Sequence, residues 1–138
     1  MTLPTLEELA VWVASPHHYA GLPHGAAADG ALDREDAPEI ETVAIAASDA
    51  LKDHLTHHPL SSELTERVEK ISEDAFCGAF EATRSHHDFS AQVSDEIWMI
   101  ARASASGYTS PFLEALWRDY AAGRRIIGEP LRIDNERV

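Results

Sequence analysis

Cysteine occurs once in the 138 residues, as Cys77, so no disulfide can form within the chain. With no charged-then-apolar leader at the N-terminus, a reducing, cytoplasmic compartment is expected. No apolar run approaches the roughly 20 residues that cross a bilayer, and no membrane partner is expected. Basic residues are scarce. Eleven Lys and Arg against 24 Asp and Glu leave a net charge of −13, which argues against DNA or RNA as a direct ligand. No stretch alternates apolar and polar residues for long enough to make a half-buried strand.

The usual catalytic signatures are missing too. Ser104, Ser106 and Ser110 have no glycine-flanked nucleophile turn. No Glu-x-x-His pair offers a di-metal carboxylate centre. Cys77 stands in an apolar helical run, where thiols are usually inert. These absences lean away from an enzyme without deciding the question.

What is present is helical periodicity. A chain of this length makes one domain, residues 1–138, and 44% apolar residues are enough for a core. Five segments repeat apolar residues at helical spacing. The first opens with a capping box, Thr5 and Glu8, and turns Leu6, Leu9, Ala10 and Val13 inward. The second runs from Pro38 to Pro59, with Ile40, Val43, Ala44, Ala47, Leu51 and Leu55 as its stripe. The third follows the short turn at 59–61, which is expected to fold it back along the second. Glu63–Arg67, Glu66–Lys70 and Lys70–Asp74 are possible i,i+4 pairs on it. Residues 75–80 are apolar all round and suggest a central, buried helix, in which Gly78 marks a close crossing. The fourth spans about Ser90 to Ser106 and ends at Gly107. The fifth begins at Ser110-Pro111 and buries Phe112, Leu113, Leu116, Trp117 and Tyr120. The expected fold is an all-α, compact bundle of about five helices. A long loop covers residues 16–37, and residues 124–138 form an extended tail that docks through Ile126, Ile127, Leu131 and Ile133.

Eight histidines are many for this length, and imidazole is a common metal ligand. His54 and His58 lie along the apolar stripe of the second helix, where a core role is expected, and His57 pairs with Asp53. His17, His18 and His24 fall in the 16–37 loop. The antiparallel arrangement would bring that loop to His86 and His87 at the far end of the third helix. This makes His24, His86, His87 and His17 the candidate ligands of a divalent, zinc-like ion, although none of them completes a metal motif.

Charge distribution points elsewhere. Residues 1–96 hold 19 acids and 5 bases, so −14, whereas residues 97–138 hold 5 and 6, so +1. A protein with a basic surface is the expected partner. The acidic faces that would meet it are Asp49 and Asp53 on the second helix and Glu63, Glu66, Glu69, Glu73 and Asp74 on the third. Size and charge together fit a protein-binding module, an inhibitor of the immunity or anti-defence type. Two alternatives stand beside it. One is a small metal-dependent enzyme or ligand sensor using the histidine end. The other is a non-catalytic homodimer joined through residues 75–80 and 97–101.

Overall fold

The computed structural model describes residues 2–131, and these form six α-helices and one 3-10 turn with no strand among them. The helices are α1 (Leu6–Val13), α2 (Ala26–Glu35), α3 (Pro38–His57), α4 (Ser62–Ala82), α5 (His87–Ser106) and α6 (Pro111–Ala121), and the 3-10 turn is Pro16–Tyr19. The all-α bundle expected from periodicity is the fold observed. Among the described residues no helix is long and apolar enough to cross a membrane.

α5 is the hub. It packs on every other helix. Phe89, Val93, Ile97, Ile100, Ala101 and Ala103 are buried on it, together with the polar Ser90, Ser94 and Glu96. Its closest partner is α4, with which it forms an antiparallel hairpin. Ser94 Oγ donates to the Ser72 carbonyl at 2.9 Å and meets Ser72 Oγ at 2.8 Å, which fixes the register. The central position expected for residues 75–80 therefore belongs to α5. On α4, Ala75 and Ala79 are buried, Phe76 and Phe80 half-buried, and Cys77 exposed. The reason is geometric: α4 is packed by α5, α1 and the 3-10 turn, and the residues of its remaining side are exposed.

α3 does not lie along α4 as the short turn implied. It docks on α5 and α6, chiefly through Leu51, which packs with Ala103 and Leu113. Of its apolar stripe only Leu51 is fully buried, and Val43 stays exposed. The buried stripe of α4, namely Val68, Ile71, Ala75 and Ala79, is already used up in the main core, which leaves no apolar seam for α3.

Segment 16–37 contains more order than a loop. Besides the 3-10 turn it holds α2, whose Ala28 and Ala31 are buried. Ala26, Ala27, Ala28 and Ala31 favour a helix. The internal Gly30 and an N-cap glycine with no capping side chain hide it from a pattern search. At the other end of the chain Ile127 is buried and Leu131 packs on the core, while Ile126 is exposed. Ile133 lies outside the described residues.

Smaller differences have local causes. Trp12, rather than Ala10, completes the buried face of α1. α5 starts before Ser90 because His86 caps it, its Nδ1 accepting from the Phe89 N–H at 3.1 Å. The Thr5–Glu8 capping box forms with both of its hydrogen bonds. Gly107 ends α5 at φ 72°, as its sequence position implied.

Candidate partner-binding face

α4 is oriented by its buried stripe, and its N-terminus is tied by Ser61, whose Oγ accepts from the Leu64 N–H at 3.2 Å. Glu63, Glu66, Glu69 and Glu73 are exposed on the opposite side. The bases of α4 do not neutralise them. Arg67 turns to α1, where its Nη2 lies 2.6 Å from Glu7 Oε1, and not to Glu63. Lys70 gives its ammonium to both oxygens of Asp74 at 2.7 Å, and not to Glu66. The hydrogen bond from Arg67 holds the Glu7 carboxyl below its usual range. Asp74 is thus compensated within the chain, whereas the four glutamates form no ion pair among the described residues. Asp49 and Asp53 are also exposed, on α3, and form an acidic face of their own.

The histidines disperse. His86 does meet the 16–37 segment, with its Nε2 2.6 Å from Asp29 Oδ1 of α2. His87 instead presents to the edge of Phe76 and lies 3.4 Å from Asp88. His17 lies tilted against His18 at 4.1 Å, and His18 stacks on Trp12 at 4.6 Å. His24 is exposed in the turn before α2. Among the described residues no three His, Cys, Asp or Glu side chains converge to hold a metal ion. His54 and His58 are not core residues: they stack on each other at 4.5 Å, with His54 half-buried and His58 exposed. His57 donates from Nδ1 to the Asp53 carbonyl at 2.9 Å, not to the carboxylate. On the last turn of a helix, that carbonyl is the nearer acceptor.

The structure also contains a polar centre that periodicity could not reveal. Glu96 of α5 is buried and is gripped twice by Arg125, Nε to Oε1 at 3.1 Å and Nη2 to Oε2 at 2.5 Å. Tyr120 of α6 donates its hydroxyl to the same carboxylate at 2.6 Å. Glu35, at the end of α2, stands 3.6 Å from the guanidinium and accepts the Gly128 N–H at 2.8 Å. Arg125 and Glu96 together therefore tie α2, α5, α6 and the C-terminal segment. Burial opposes the charge on Arg125, but Glu96 outweighs it and holds that charge firmly. Burial, and then the charge on Glu96, push the carboxyl of Glu35 upward and the Tyr120 phenol well upward. An interior glutamate in an apolar helical run was the only hint, and its partner lies 29 residues away.

A pH effect follows from Glu35. The folded protein holds this proton more tightly than the unfolded chain, so lowering the pH towards the ordinary glutamate range favours folding through this group. Relative to Glu35→Gln, the wild-type melting temperature is expected to rise as the pH falls from 7 through that window. A difference that stays constant with pH would contradict the assignment.

In a comparison with protein families, the family model described as Immunity protein PIM1 matches residues 22–125. That stretch takes in α2 to α6, the α4 glutamates and the Glu35–Glu96–Tyr120–Arg125 centre, while α1 and the 3-10 turn precede it. Comparisons with curated proteins and with solved structures gave no match. The matched stretch covers most of the chain, and the chain belongs to the Immunity protein PIM1 family.

Proposed function

We propose that this immunity-type protein acts by holding a partner protein, blocking a basic surface of that partner with the outer face of α4. One observation carries the reading: Glu63, Glu66, Glu69 and Glu73 share an exposed side of one helix, and the nearby cations are engaged by Glu7 and Asp74. Like charges one turn apart, as at Glu69 and Glu73, cost an isolated helix a few tenths of a kcal/mol. A partner's lysines or arginines would remove that cost and gain Coulomb attraction. The family name fits a partner whose harmful action is blocked by occupancy, with no chemistry required of this chain.

The test compares wild type with Glu69→Lys/Glu73→Lys in capturing a partner from host lysate at 0.1 and 0.5 M salt. The wild type is expected to retain a protein that the variant releases. Association of that protein should slow about tenfold or more on charge reversal and markedly at high salt. Capture indifferent to both changes would overturn the reading.

A further inference from the structure

Of the three tryptophans, Trp12 and Trp117 are buried, and Trp98 alone is exposed, at 36%. It stands on the same side of α5 as the exposed Asp95. Arg102 lies over its ring, with the guanidinium carbon 3.8 Å from the centroid. The Nε of Arg102 is buried without a hydrogen bond among the described residues. Asp95, one turn before Trp98, is exposed; it feels the charge of Arg102 but forms no close ion pair among the described residues. The register set by Ser72 and Ser94 brings Trp98 level with the turn of α4 that holds Thr65 and Glu69. The exposed indole thus has Asp95 one turn away on its own helix and Glu69 level with it on the next, two carboxylates against the single charge of Arg102.

We propose that this notch, formed by Trp98, Asp95 and Glu69, is a receptor for one arginine or lysine side chain of the partner protein. The idea rests on the basic-partner reading above and locates its anchor. An aromatic face attracts a cation through its quadrupole, and a neighbouring carboxylate adds a charged hydrogen bond. Arg102 acts as a positioning residue, packing the indole from one side so that the remainder of the ring stays outward. Tryptophan at the centre of a charged rim is also the usual composition of an interface hot spot. The glutamates of α4 would set the rate of encounter, and Trp98 the lifetime of the complex.

The probe is a hexa-arginine peptide, titrated into the intact protein while both tryptophan emission and heat are recorded. Binding is expected to perturb the emission, because Trp98 is the exposed fluorophore. By calorimetry Trp98→Ala is expected to weaken binding about tenfold and Asp95→Asn several-fold. Glu41→Gln, at an exposed position of α3 outside both acidic faces, should leave it unchanged. Heat without any change in emission, and equal affinity in Trp98→Ala, would place the cation elsewhere on the acidic surface: the notch is then wrong and the basic-partner reading stands. No binding of hexa-arginine at all would sink both. Sedimentation of the protein alone gives a further check, since a dimer that dissolves in Trp98→Ala would reassign this stripe to self-association and overturn the proposal.

Discussion

Replacing Arg125 with alanine is expected to remove about 3–5 kcal/mol of folding stability, because it leaves a buried carboxylate with no counter-charge. Glu96 is 6% exposed, and its two oxygens receive Arg125 twice, Tyr120 once and, at 3.4 Å, Gln92 once. Without the guanidinium, Glu96 must take up a proton, draw water inward or pull its helix apart, and all three outcomes lower stability. A domain of this size has about 5–15 kcal/mol in total, so the loss takes a large share. Urea unfolding of wild type and variant measures it directly. The double variant Arg125→Ala/Glu96→Gln is expected to be more stable than Arg125→Ala alone, since a neutral amide tolerates burial better than a charge. If the two changes simply added, the pair would not be a coupled unit. Glu35→Gln is expected to cost far less, because its Oε can still accept the Gly128 N–H.

This centre also shows how far the sequence could be read. Periodicity identified the helices that stand on strong stripes, and it gave the capping box at Thr5, the start of α6 at Ser110 and the stop at Gly107. These are local features, decided by residues three or four positions apart. The exposure of the α4 glutamates was legible for the same reason. What could not be read depends on distant neighbours. Whether α3 or α5 lies along α4 is settled by which apolar stripes are already occupied, and the short turn at 59–61 misled on that point. Likewise Arg125, in a segment that looked like a loose tail, turns inward only because Glu96 and Glu35 converge from two other helices. His86 looked like a ligand, yet the structure uses it to cap α5 and to pair with Asp29. Trp98 sits in a run that is apolar on every side, and nothing within that run marks it as the residue left outside.

Gly78 gives the second large effect, and there the structure reverses the sign that sequence alone implies. Glycine inside a helix costs about 1 kcal/mol relative to alanine, so Gly78→Ala should stabilise α4 on propensity alone. The expected close crossing is real, but the neighbour is Tyr19 of the 3-10 turn and not a helix. A methyl group at this position would lie 2.5 Å from Tyr19 Cζ and 2.8 Å from Cδ2, well inside van der Waals contact. The ring is 2% exposed and its hydroxyl donates to the Val13 carbonyl at 2.7 Å, so it has nowhere to retreat without losing both burial and a hydrogen bond. Overpacking of this kind costs about 1–3 kcal/mol, and the displaced tyrosine adds to it. A net loss of about 2 kcal/mol or more is expected from thermal or urea unfolding of Gly78→Ala. In a Tyr19→Ala background the same substitution meets open space, and it should then stabilise by up to about 1 kcal/mol. A destabilisation of equal size in both backgrounds would mean that the ring is not what keeps glycine at this position.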